Sequence, residues 1–173
     1  MKNIVLVIRM EDDKVSREEF FMEEAIREAK KAYALKETPI GAVIVYNDKI
    51  VGRGYNKIEI TKDSTNHAEI VAIKDAAKNL DRWRLFDCEM YVTMEPCFMC
   101  TGAIVNSRIK KVYIGARHTK NEIVDKHNDF QHEFLTDNKV ETVYDVKEEE
   151  CSKILSDFFR ERREEKKVRA QEI

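Results

Sequence analysis

Apolar and polar positions follow two rhythms along this 173-residue chain. Phe21, Met22, Ala25, Ile26, Ala29, Ala32 and Tyr33 recur at three- and four-residue steps, which predicts an amphipathic helix over about residues 17–35. Ser16 and Glu19 have capping-box spacing at its start, and Pro39 closes the region. Ala42–Tyr46 and Lys49–Val51 are apolar runs flanking Asn47-Asp48, a pair suited to a tight hairpin turn. Residues 67–80 read as a second helix with Val71, Ala72, Ala76 and Leu80 inside. Glu89–Thr93 and Lys111–Ile114 read as strands, and between them a helix from Cys97 to Ser107 is opened by Pro96. Val140, Thr142, Tyr144 and Val146 alternate like one more strand, and Cys151, Ile154, Leu155 and Phe158 share a face of a last helix. A hairpin followed by helix–strand alternation, without repeat or linker, predicts one α/β domain over residues 1–173. Its mixed sheet carries helices on both faces, and residues 1–15 are a candidate N-terminal extension.

Composition narrows this picture. Only five glycines and two prolines occur, all between residues 39 and 115. Low-complexity disorder is thereby excluded, and the demanding backbone turns are expected in the middle of the chain. The formal net charge of −2 argues neither for nor against nucleic acid. No apolar run approaches a membrane span, and Ile4–Ile8 is too short for a signal-peptide core, so the expected location is the cytoplasm. Cys88, Cys97, Cys100 and Cys151 are too few and too uneven for a disulfide framework.

Two short groups carry chemistry: His67-Ala68-Glu69 and Pro96-Cys97-Phe98-Met99-Cys100, each at a predicted helix start. Cysteines three apart on a first helical turn project to one side, and the positive end of the helix favours their thiolates. With a histidine they make three ligands suited to zinc and leave one tetrahedral position for water, the arrangement of a catalytic site. Glu69 would stand beside that water as a proton carrier. Taken alone, Cys-x-x-Cys is equally a redox pair or half of a structural zinc site. For the latter, Cys88, Cys151, His118, His127 and His132 are available as a fourth ligand. Together, His-x-Glu followed about 28 residues later by Pro-Cys-x-x-Cys matches the zinc deaminase signature.

The chain resembles the bacterial tRNA-specific adenosine deaminases of the cytidine-deaminase-like superfamily from about Glu19 to Lys167. The likeness is densest over Arg84-Leu85 and Met90–Ile104, continuing to Ser107-Arg108-Ile109, with further likeness at Thr38–Val45 and Leu155–Arg160. It implies a three-layer α/β/α fold with a five-stranded mixed sheet, one zinc ion per subunit, a homodimer, and His67, Cys97 and Cys100 as ligands. It also implies Glu69 as general acid/base, and Asn56, Ala68 and His118 as substrate-binding positions. The implied reaction is hydrolytic: water activated by zinc attacks the amine-bearing ring carbon, Glu69 passes protons, and ammonia departs. The implied partner is a tRNA anticodon stem-loop, whose wobble adenosine becomes inosine.

After Ala116 the family usually continues Arg-Asp-x-Lys and a glycine-containing segment, whereas this chain has Arg117-His118-Thr119-Lys120 and then no glycine. His118-Thr119 resembles the superfamily's guanine deaminases, so a free purine base or nucleoside is the alternative substrate. A zinc-stabilised RNA-binding module without catalysis is a third reading, against which Glu69 argues. His127-Asn128-Asp129-Phe130 either lines a pocket or is plain surface. Trp83 and Phe86 either stack on a base or pack a junction. The basic residues Arg160, Arg162, Arg163, Lys166, Lys167 and Arg169 either contact phosphates or pair with Glu161, Glu164 and Glu165 along a solvated helix.

Overall fold

The computed structural model describes residues 15–117 and 122–171, with the side chains of 122–128 and 171 set aside. The candidate extension over residues 1–15 therefore lies almost wholly outside the described residues. The elements are α1 (Arg17–Ala34), β1 (Gly41–Tyr46), β2 (Lys49–Tyr55), α2 (Ile58–Thr61), α3 (Ala68–Asn79), β3 (Glu89–Met94), α4 (Phe98–Asn106), β4 (Lys111–Ala116), α5 (Glu122–Asp137), β5 (Glu141–Val143) and α6 (Glu148–Gln171). Ser16 and Glu19 form the predicted capping box on α1.

The five strands lie in the order β2-β1-β3-β4-β5. β1 is antiparallel to both neighbours, while β3, β4 and β5 run parallel. Strand residues alternate between two cores. Ala42, Ile44, Met90, Val92, Val112 and Ile114 face α3, α4 and α5. Val43, Val45, Tyr91 and Tyr113 face α1 and α6, with the Tyr91 and Tyr113 rings stacked at 4.3 Å. Both faces of the central strands are thus covered, which is why their sequences are almost continuously apolar. This is the three-layer mixed-sheet architecture expected.

Two expectations need correction. Among the described residues no glycine has a positive φ. The left-handed positions belong to other residues: Asn47, Asp48, Lys62, Asp81, Asp87 and Arg108 lie in the middle of the chain as expected, while Lys139, Asp145 and Lys147 lie beyond it. Gly41, Gly52, Gly54 and Gly115 serve close packing instead, while a Cβ at Gly102 would meet open space. The predicted strand over 140–146 shortens to Glu141–Val143, with Val140 and Val146 packed at its two ends. In addition, α2 and the sixteen-residue α5 were not foreseen. Leu85 fills the junction before β3 while Trp83 and Phe86 stay exposed. Along α6, Arg160 pairs with Asp157 and Arg162 with Glu165, as the solvated-helix reading expects.

Candidate metal centre

β2, β3 and β4 end on the same edge of the sheet, the usual place for a site in an α/β domain. The chain leaves β2 at Asn56. The Asn66 carbonyl accepts from the Lys57 N–H at 3.0 Å, which closes the intervening loop and delivers His67 to the start of α3. Helix α3 lies directly on the backbone of β2. A Cβ at Gly52 would collide with the Ala72 carbonyl oxygen, and one at Gly54 with that of Ala68. Ala68, Ala72 and Ala76 supply the matching small face. The end of β3 leads through Glu95 and Pro96 to Cys97, where α4 begins.

Both helices therefore start at the same spot with a ligand-type residue at the N-cap, His67 on α3 and Cys97 on α4. His67 Nδ1 lies 3.6 Å from Cys97 Sγ. The ligand atoms of His67, Cys97 and Cys100 all fall within 4.8 Å of one another. Zinc bonds of about 2.1 Å to nitrogen and 2.3 Å to sulfur, at a tetrahedral angle, separate such a pair by about 3.6 Å. The donor set fits zinc in kind and in spacing.

The thiols are electrostatically prepared for a cation. Cys97 is held down to about 5, first by the hydrogen bond from the Cys100 thiol, then by the Cys100 and Met99 amides and by His67, against the effect of burial. Cys100 is pushed up by the same shared proton, by burial and by Glu69. The pair releases one proton readily and keeps the second until a metal displaces it. Glu69, on the first turn of α3, is only 3% exposed. Burial, reinforced by the charge on Cys97, pushes its carboxyl up to about 7, while its own amide and the Cys100 thiol pull the other way. Its Oε2 has no hydrogen-bond partner. A buried carboxylate oxygen held without a donor is costly, and here it stands beside the ligand group.

Asn56 is equally buried. Its Oδ1 accepts from the Ala68 N–H at 2.9 Å, and its own N–H donates to the Ile40 carbonyl at 3.2 Å. The structure thus brings His67, Ala68, Glu69, Asn56, Cys97 and Cys100 together. His118 lies outside the described residues, as does the side chain of His127. The other fourth-ligand candidates sit elsewhere. Cys88 precedes the far end of β3, about 20 Å away along that strand, given its rise per residue. Cys151 packs on the opposite face of the sheet, and His132 lies against Thr142 and Tyr144. None joins the group among the described residues.

Of the α5 residues beside the site, Phe130 belongs to the segment weighed above as a pocket lining, whereas Gln131 escaped the sequence reading. Gln131 is buried against the Cys97 turn, and Phe130 lies with its ring 5.7 Å from that of Phe98. The available signal was the helical spacing of Phe130 with Phe134 and of Gln131 with Leu135 in a stretch free of breakers.

Residues 15–116 match the family model of the cytidine and deoxycytidylate deaminase zinc-binding region. A tRNA-specific adenosine deaminase of Bacillus subtilis is 44% identical over 154 residues, 89% of this chain and 96% of that protein. A solved tRNA:A34 deaminase, studied for A-to-I editing at the wobble position of transfer RNA, is 36% identical with a TM-score of 0.71. The match covers 79% of this chain and 99% of that one. The structure of a guanine deaminase from Bacillus subtilis is 37% identical with a TM-score of 0.57, over 66% of this chain and 74% of that one.

Proposed function

The chain belongs to the cytidine and deoxycytidylate deaminase zinc-binding family, and we propose that it deaminates adenosine to inosine at the wobble position of a tRNA anticodon. The observation that carries the reaction class is Glu69, buried with an unpartnered oxygen beside His67, Cys97 and Cys100. The substrate reading draws on the tRNA-acting relatives, which match over nearly their whole length.

On this reading His67, Cys97 and Cys100 hold one zinc ion, which when bound supplies Lewis-acid activation of water at neutral pH. Glu69 carries the protons. Its carboxyl takes one from the attacking water, returns it to the ring nitrogen, and serves the departing amine, so that water enters and ammonia leaves. Asn56 spends its Oδ1 on the Ala68 amide, which leaves its side-chain nitrogen to donate to the purine. Ala68, whose methyl is buried, acts on the substrate by holding Asn56 in place. His118, outside the described residues, is assigned to substrate binding from the sequence alone. The exposed Phe98, Met99, Phe130 and Phe134 beside the site support a partner surface, as the cytoplasmic homodimer implied by the family resemblance requires. Residues 15–171 act as one domain on this reading.

A free purine is the second reading, favoured by the guanine deaminase of 37% identity and by His118-Thr119. Ammonia release from an anticodon stem-loop, adenosine, guanosine and guanine separates the two. Turnover of the stem-loop alone is expected. Turnover of guanine with an inert stem-loop would overturn the tRNA assignment and leave the deaminase chemistry standing.

A further inference from the structure

An N-cap side chain ordinarily accepts a hydrogen bond from an amide of the first helical turn. At α3 and α4 that position is taken by His67 and Cys97, and neither side chain makes a capping hydrogen bond. Unpaired amides at a helix start are costly when buried, so another group must serve them. At α3 that group is the Asn56 side chain, which accepts from Ala68, the first helical residue.

At α4 the equivalent amide is that of Phe98, and a side chain from a different helix reaches it. With the Gln131 amide oriented to match its neighbours, its oxygen accepts from the Phe98 N–H at 3.0 Å and its nitrogen donates to the Pro96 carbonyl at 3.1 Å. These two backbone groups lie on either side of Cys97. Gln131 is 7% exposed, and Leu135, one turn further along α5, is buried in the core and fixes that face of the helix.

We propose that Gln131 is a positioning residue for the metal: by gripping the backbone before and after Cys97, it sets the direction of that thiol toward His67 and Cys100. The proposal rests on the reading of these three residues as zinc ligands. It makes α5, which follows β4, part of the metal-binding apparatus without supplying a ligand. Groups that orient ligands in this way commonly change metal affinity by about 10–100-fold when removed.

The test compares Gln131→Met, similar in size but unable to make either hydrogen bond, with Gln131→Glu, which retains an acceptor for the Phe98 amide. Zinc affinity is measured by chelator competition on the full chain. Thiolate-to-metal absorption is recorded on cobalt-substituted protein, and unfolding is followed on the metal-free protein. Gln131→Met is expected to weaken zinc about 10–100-fold and shift the cobalt bands. Gln131→Glu should fall between it and the wild type, with metal-free unfolding little changed in either. Wild-type zinc affinity and an unchanged cobalt spectrum in Gln131→Met would overturn the proposal. So would a loss of affinity that merely tracks a loss of metal-free stability. Should Gln131→Met fail to fold, Gln131→Glu decides: weaker zinc with shifted bands supports positioning, and wild-type values refute it. Failure of the wild type to bind zinc or cobalt is a different result, which would overturn the ligand reading and the proposal with it.

Discussion

At the start of α3 the supporting side chain comes from Asn56, only 12 positions from the amide it serves. At the start of α4 it comes from α5, on the far side of an intervening strand. The difference extends to packing. α3 rests on the bare backbone of Gly52 and Gly54 with alanines facing it, so its position is set once β2 and α3 have met. α4 begins with Phe98 and Met99 exposed, and the side chain that reaches its first turn comes from α5. The two halves of one site are therefore held by different means. The half carrying Glu69 is locked by local packing, and the half carrying both thiols is held by a remote helix.

The largest effect is expected on the α4 side. Cys100→Ala removes a ligand and leaves Cys97 without its thiol partner. Zinc content should drop well below one per chain after dialysis, and ammonia release should fall by at least about 10³-fold. Full zinc retention would mean that a ligand outside the described group compensates. On the α3 side, Gly54→Ala drives a methyl into the Ala68 carbonyl and the Ala72 amide, both backbone atoms that cannot step aside. A loss of about 1–3 kcal/mol is expected, read as a lower thermal midpoint. A neutral result would contradict the locked packing assigned to this half. A smaller effect is expected from Asn56→Ala, about 0.5–2 kcal/mol, as for other lost helix caps. It should exceed that of Gln131→Met in the same melt. The Ala68 amide is buried where water cannot replace the lost acceptor, whereas Phe98 borders solvent. Equal losses would erase the distinction between the two helix starts.

The α3 half was legible in the sequence because its determinants are local. Hydrophobic spacing marked the helix and the His-x-Glu group its chemistry; on the α4 side the Cys-x-x-Cys pair was legible too, but not what holds it. The hairpin turn at Asn47-Asp48 was equally plain. The glycines were misread because close approach of a helix to a strand leaves no local mark that distinguishes it from a turn. Gly54 is explained by Ala68, fourteen positions away. α5 was not predicted, although its freedom from glycine and proline is itself a helical trait. The role of Gln131 could not be read at all. A lone glutamine on an amphipathic helix says nothing until folding brings Pro96 and Phe98 to it.

The central claim is that two helix starts build one zinc site around a buried proton carrier. It is tested most directly by Glu69→Gln, which keeps the volume and removes the titrating oxygen. Metal content and ammonia release from the stem-loop are measured side by side with the wild type. One zinc per chain is predicted in both proteins, with turnover reduced by about 10²–10⁴-fold in the variant. A zinc-loaded Glu69→Gln that releases ammonia at the wild-type rate would contradict the account.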